Sequence, residues 1–213
     1  MKKLFFILGF TATMACGACA PTKVETNKNF DTGTVSLTPP QPADPDGVIP
    51  ADDCQQIDIG DKACNFKLTD QNGEIWSLYD HEGSVIMLDF SAYWCYPCQS
   101  AADHTQALQD DYAADGVQVV TVIIDGRTPG EAPESYEIDA WVNNHNITTA
   151  PILQGSREKM LDSQDGSVAE PGVTGYLLSA FPTYIYIGKD MKFYAGHVGY
   201  SEEYARQKIE EGL

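Results

Sequence analysis

An apolar run that leads straight into a Cys-x-x-Cys helix start leaves this chain few architectures. Ser84 to Phe90 is almost continuously apolar, and Ser91, Ala92, Tyr93 and Trp94 separate it from Cys95-Tyr96-Pro97-Cys98. Such a run suits a central strand covered on both faces. Beyond it, Tyr96 to Ala113 places Ala101, Thr105, Leu108 and Tyr112 on one helical face while Asp103, Gln106 and Asp110 point away. The two cysteines thus stand at i and i+3 on the first turn of a helix, about 4.5 Å apart along its axis. That reach lets their sulfurs bond.

The rest of residues 54–213 alternates strands and helices. Asn65 to Thr69 and Glu74 to Leu78 flank Asp70-Gln71-Asn72-Gly73, whose Asn-Gly pair marks a hairpin. Val117 to Ile124 reads as a second buried strand and Glu134 to Asn146 as a helix. Thr183 to Ile187 and Met191 to His197 form a hairpin around Gly188-Lys189-Asp190. Ser201, followed by Glu202 and Glu203, starts a terminal helix that carries Ala205, Ile209 and Leu213 inward. The order β-β-β-α-β-α-(β)-β-β-α predicts an α/β fold with one central mixed sheet flanked by helices.

The N-terminus points to export. Lys2 and Lys3 precede an apolar stretch from Leu4 to Phe10 and small residues up to Ala15. That core is far shorter than the roughly 20 apolar residues of a membrane-spanning helix, so residues 1–18 read as a cleaved signal peptide. Ala15-Cys16-Gly17-Ala18-Cys19 resembles the lipobox of bacterial lipoproteins, where Cys becomes the acylated first residue, although neither Cys has a Leu three residues upstream. Ordinary cleavage is the alternative, and Pro21 would hinder it. Cutting before Cys19 discards Cys16 and leaves an even number of unmodified cysteines, which favours Cys19 as the lipidated residue over Cys16.

Residues 19–53 carry Pro39, Pro40, Pro42, Pro45 and Pro50 and no sustained apolar period. Such a composition cannot offset its ordering entropy and reads as a disordered tether spanning about 30 Å. The formal charge of −18 excludes electrostatic binding to nucleic acid or anionic lipid. Loss of Lys2 and Lys3 with the signal takes it to −20, so the membrane is held through the lipid anchor only. The localisation expected is the periplasm or cell envelope.

Reversible disulfide chemistry follows from the dithiol's place. At the helix N-terminus, Cys95 meets unpaired N–H groups and the positive dipole end, which stabilise a thiolate and make it the nucleophile. Cys98, a turn further in and more buried, is the resolving sulfur. Pro97 costs little so early in a helix. Zinc would need two further ligands, and His81, His104, His145 and His197 are scattered, so no metal is expected. A bridge across two residues closes too small a loop to be structural. A peroxidatic site would want Pro-x-x-x-Thr-x-x-Cys, whereas Leu88 and Ala92 stand at those positions before Cys95.

Leu88 to Cys98 resembles the active-site segment of thioredoxin-fold proteins. With the N-terminal hairpin, the stretch between Ile124 and Phe181 and the lipoprotein-like start, the chain is similar to extracytoplasmic TlpA/ResA-type thiol:disulfide oxidoreductases over most of residues 60–211. The resemblance implies a thioredoxin-like fold and a redox-active Cys95–Cys98 disulfide with no other cofactor. It implies protein dithiol or disulfide substrates, an upstream thiol electron donor, and reduction of protein disulfides, cytochrome c maturation included. It matches Phe181-Pro182-Thr183 to the family's cis-proline segment, which faces the dithiol and binds a substrate strand; a trans Pro at a strand start is the alternative. It matches Asp89 to the buried acid that accepts the second cysteine's proton. A carboxyl in an apolar strand has a raised pKa, whereas an Asp at a solvent-facing sheet edge is ordinary. Trp94 is expected as a lid over the dithiol.

Cys54 and Cys64, with nine residues between them, are expected to form a structural disulfide pinning the tether to the domain, with free thiols as the alternative. The 84-residue span from Cys98 to Pro182 is longer than a minimal thioredoxin requires and contains Pro129, Gly130 and Pro133 among acidic residues. This insertion is expected to reshape the rim of the site. Two rival functions use the same residues: a non-catalytic binding lipoprotein with its disulfide locked, and a Cu(I) chaperone, which would need a sulfur-and-imidazole set.

Overall fold

The structure, a computed structural model, describes residues 59–160 and 180–213 together with the backbone of Gly47–Val48. Cys16, Cys19 and Cys54 lie outside the described residues, and with them the signal, the lipidation site and most of the tether. The first strand, β1 (Gly47–Val48), pairs antiparallel with β2 (Phe66–Thr69), which pairs with β3 (Ile75–Ser77). The hairpin between β2 and β3 turns at Gly73, whose φ of 78° is the left-handed conformation that its Asn-Gly pair foretold.

A separate five-stranded mixed sheet organises the rest. Its strands are β4 (Val85–Ala92), β5 (Val117–Asp125), β6 (Ile152–Gln154), β7 (Thr183–Ile187) and β8 (Phe193–Val198), in the order β6-β5-β4-β7-β8. β5 runs parallel to β4 and to β6, while β7 is antiparallel to β4 and to β8. Every residue of β4 is buried, as its near-continuous apolar run requires of a central strand.

Strand alternation divides the core. Ile86, Leu88 and Phe90 of β4 join Val120, Val122 and Ile185 in packing against Phe66, Leu68 and Trp76 of the small sheet. Val85 and Met87 face the other way, onto Leu108 and Tyr112 of α2 (Thr105–Tyr112) and Ala205 and Ile209 of α5 (Glu202–Gly212). A third cluster, at the C-terminal ends of β4 and β5, joins Ala92, Cys95 and Cys98 to Ile138 and Trp141 of α3 (Ser135–Asn144). A four-residue helix, Arg157–Met160, follows β6.

The structure departs from the sequence expectation in three places. The helix after the dithiol is two helices, with Tyr96–Ala102 separated from Thr105–Tyr112. At the break, His104 N–H donates to the Ala101 carbonyl three residues back (3.0 Å), Asp103 is held by His145 from the end of α3, and the His104 ring stacks on Tyr200. Tertiary contacts at two consecutive residues thus outweigh the helical periodicity. Leu213 is 44% exposed, because α5 ends at Gly212 with only Ala205 and Ile209 buried. The tether expected over residues 19–53 also contributes structure, since Gly47–Val48 pair with β2.

One buried polar residue carries weight that no apolar pattern reveals. Gln109, on α2, donates to the Val117 carbonyl (3.2 Å) and accepts from the Val119 N–H (2.7 Å). Its amide thus pairs the start of β5 on the side where β6, which begins opposite Thr121, does not reach. Gln109→Ala leaves both backbone groups without a partner and should lower stability by about 1–3 kcal/mol. Gln109→Leu, which refills the volume, should recover little of this in chemical denaturation; full recovery would show that packing and not pairing is what Gln109 provides.

Candidate active site

Parallel pairing brings the C-terminal ends of β4 and β5 together, and the dithiol loop leaves from there. Ala92 stands opposite Asp125 across a register shift, Tyr93 N–H donates to the Asp125 carbonyl (2.8 Å), and Cys95 N–H donates to the Ala92 carbonyl (3.1 Å). Cys95 is the N-cap of the helix Tyr96–Ala102, which we label α1, with Pro97 in its first turn. Its Sγ accepts from Cys98 N–H (3.3 Å), so the helix's own unpaired donor points at the sulfur. The two cysteines are bonded as a disulfide with Cα atoms 5.2 Å apart. Both are buried, at 3% and 0% exposure, so the first is less open than its place at the helix end suggests.

Around this buried disulfide the rim is aromatic. Trp94 is 43% and Tyr96 83% exposed. The Trp94 ring meets the edge of Phe181 at 6.1 Å, and Phe181 packs against the cluster that holds Cys95 and Cys98. The Phe181–Pro182 peptide bond is cis. Pro182 is buried and its carbonyl accepts from Gly199 N–H (2.8 Å), while Thr183 opens β7 beside β4. Trp94 and Phe181 thus stand together at the mouth of the dithiol.

Two buried carboxylates, one on β4 and one on β5, have surroundings that drive their acidities apart. Asp89, on the helix-facing side of β4, is 2% exposed and lies in one cross-sheet row with Thr121, Tyr184 and His197. Burial pushes its carboxyl up to about 7 against the opposing pull of hydrogen bonds from Ser91 (2.7 Å) and Thr121 (3.5 Å). Asp125, at the end of β5, is fully buried, and burial alone would raise it too. Hydrogen bonds from Arg157, Gly130 N–H and Trp94 Nε1, together with the Arg157 charge, reverse that and hold it below the usual carboxylate range.

Asp125 was not among the sequence candidates, although one signal was there: it closes a buried parallel strand whose neighbour leads into the dithiol. The same holds for a second support. Gln99 on α1 donates to the Tyr93 carbonyl (2.6 Å), which turns its Oε1 toward His145 Nε2 (2.8 Å), and His145 Nδ1 meets Asp103 at 2.7 Å. His145, one of the four scattered histidines, thus ties α1 and the dithiol loop to the end of α3. No sequence spacing announces that contact. Cys64 is buried and disulfide-bonded, while Cys54, its expected partner, lies outside the described residues.

Comparison with known proteins agrees with this geometry. Residues 59–192 match the AhpC/TSA family model. Thiol-disulfide oxidoreductase ResA of Oceanobacillus iheyensis is 31% identical over 101 residues, 46% of this chain and 49% of the relative. The chain thus spans about half the length of that curated relative. Thioredoxin-like protein YneN of Bacillus subtilis is 35% identical over 97 residues, 46% of this chain and 54% of the relative. Among solved structures, a candidate thiol:disulfide interchange protein DsbE from Chlorobium tepidum aligns at 27% identity with a TM-score of 0.57, covering 73% of this chain and 98% of its own. The pneumococcal exposed lipoprotein thioredoxin Etrx1 from Streptococcus pneumoniae aligns at 25% identity and TM-score 0.53, covering 69% and 98%. The fold is thioredoxin-like, and the chain belongs to the AhpC/TSA family, within which it is similar to thiol-disulfide oxidoreductases of the ResA and DsbE type.

Proposed function

We propose that this protein is an extracytoplasmic thiol:disulfide oxidoreductase that reduces protein disulfides with the Cys95–Cys98 pair. The observation that carries the reading is the Cys95–Cys98 pair itself, which caps the N-terminus of α1 and lies in one cluster with Phe181 of the cis-proline segment at an aromatic mouth. In the reduced protein, the Cys95 thiolate attacks one sulfur of a client disulfide. A mixed disulfide forms and the other client sulfur leaves as a thiolate. Asp89 takes the Cys98 proton, and Cys98 then attacks the Cys95 sulfur, which releases the second client thiol and closes Cys95–Cys98. An upstream thiol donor returns two electrons. Trp94, Phe181 and Pro182 form the surface that receives the client, for which the haem-attachment disulfide of an apocytochrome c is the first to test.

The same reading places the protein at the cell envelope, held by acylation at Cys19 with Cys16 as the alternative, and pairs Cys54 with Cys64 as the structural disulfide. Support comes from the lipobox-like start and from the similarity to an exposed lipoprotein thioredoxin. Metabolic labelling with a fatty acid should mark the wild type and Cys16→Ser but not Cys19→Ser. Label retained by Cys19→Ser and lost from Cys16→Ser would move the anchor to Cys16.

Insulin reduction with dithiothreitol as donor tests the activity. The wild type should turn over, Cys95→Ser should be inactive, and Cys98→Ser should stall as a mixed disulfide that mass spectrometry detects. A wild type without turnover would make the protein a binding scaffold. Asp89→Asn should slow the release step by about 10²-fold, the ordinary size of a general-base contribution.

Asp89 also gives stability a pH dependence whose sign is set by its raised value. The folded protein holds this proton up to about 7, whereas the unfolded chain releases it near 3.8, so stability falls as pH rises from about 4 to about 7 and is flat above. The drop attributable to this group is on the order of 4 kcal/mol. Denaturant titrations of Asp89→Asn should lack that slope.

A further inference from the structure

The short helix that follows β6 meets the active site through Arg157. Arg157, in the first turn of the helix Arg157–Met160, donates from Nε to Asp125 Oδ1 (2.7 Å) and from Nη2 to Asp125 Oδ2 (2.6 Å). The same Oδ2 accepts from Trp94 Nε1 (3.0 Å) and from Gly130 N–H (3.0 Å). The carboxylate has no exposure, so each of these bonds acts away from bulk water. Trp94 precedes Cys95, and its other side lies against Phe181. The indole is therefore pinned at its nitrogen by Asp125 and met at its ring by the residue before the cis-proline.

A fully buried carboxylate without a cation would be driven toward its neutral form, in which one oxygen becomes a donor and accepts poorly. Arg157 supplies the cation in bidentate geometry, the arrangement best suited to holding a planar carboxylate both charged and oriented. Among the described residues, the other charged groups near Arg157 and Asp125 in the chain are engaged or open to solvent. Arg127 lies 3.6 Å from Glu137, and Glu131 and Glu158 are exposed. Arg157 alone among the described residues forms a salt bridge with Asp125.

We propose that Arg157 is a positioning residue: acting through Asp125, it fixes the Trp94 indole at the mouth of the dithiol and so sets how well a protein disulfide, as opposed to a small one, is engaged. This rests on the thiol-disulfide reading for its consequence but not for its geometry. A protein client must lie across the walls formed by Trp94 and Phe181, whereas a small aromatic disulfide passes them with fewer contacts to either ring. Removing Arg157 frees the indole and weakens the first kind of encounter selectively.

The test has two arms. In ¹⁵N spectra of the purified protein, the Trp94 indole signal, assigned with Trp94→Phe, should begin to titrate at a higher pH in Arg157→Gln than in the wild type. Asp125 now loses its charge more readily, and its grip on the indole goes with it as pH falls. In kinetics, Arg157→Gln should lower kcat/KM for insulin about tenfold, mainly through KM, while reduction of 5,5′-dithiobis(2-nitrobenzoate) changes less than about twofold. Trp94→Ala should show the same selectivity, and Arg157→Gln in the Trp94→Ala background should add nothing further. Identical Trp94 titrations, an equal fall for both substrates, or additive losses would overturn the proposal. Should Arg157→Gln not fold, Arg157→Lys, which keeps the charge and loses the bidentate geometry, carries the test. It should move both readouts in the same direction by less, and identity with the wild type in both would overturn the inference. If the wild type reduces neither substrate, the oxidoreductase reading fails, and the titration still decides whether Arg157 governs the indole.

Discussion

Parallel pairing of β4 with β5 is the constraint on which the site depends. Two parallel neighbours end on the same side of a sheet, so the chain leaving β4 and the last side chain of β5 must share one space. β4 leaves as the dithiol loop, and β5 ends in Asp125, whose backbone carbonyl holds Tyr93 and whose carboxylate holds Trp94. The register shift between Ser91 and Ala92, where β5 carries the extra residue Ile124, falls at this point and brings Asp125 opposite Ala92, a common use of an irregularity beside a functional loop. The bonds that Asp125 makes to the dithiol loop follow from that shared edge. β7, antiparallel on the other flank of β4, brings the cis peptide before Pro182 to the same end.

Burial acts on Asp89 and Asp125 in the same direction, and their different partners decide the result. Among the described residues Asp89 has two hydroxyl donors and no cation, and its carboxyl rises to about 7, where a group can both hold and release a proton near neutrality. Asp125 has a guanidinium, an indole and a backbone N–H, and it stays ionised. One carboxylate is suited to moving a proton and the other to holding a shape. The pair illustrates how two like side chains at adjacent strands acquire distinct duties from their neighbours alone.

Much of this was legible in the residues. The apolar run from Ser84, the Asn-Gly turn and the helix start at Ser201 mark elements through local physics, and the structure has a strand, a hairpin and a helix at those places. The dithiol was legible because two sulfurs at i and i+3 on a first turn leave little room for another role. What escaped was made by distant contacts. The break at Asp103 and His104 depends on His145 and Tyr200, and the pairing role of Gln109 depends on where β6 begins. Arg157 stands 32 residues beyond Asp125, and no periodicity links the two. Local pattern records propensity and burial; it does not record which polar side chains meet when separate segments converge.

The aromatic mouth has one further consequence, for the order of events. The dithiol lies in a buried cluster beside Trp94 and Phe181, so under the proposed function a thiol donor and a client disulfide would compete for a single berth. Neither can be served while the other is docked. The protein would then act as a shuttle that must empty itself between visits, carrying two electrons per trip. Its throughput would peak at an intermediate ratio of donor to client, and an excess of either would hold it idle at one end of the circuit.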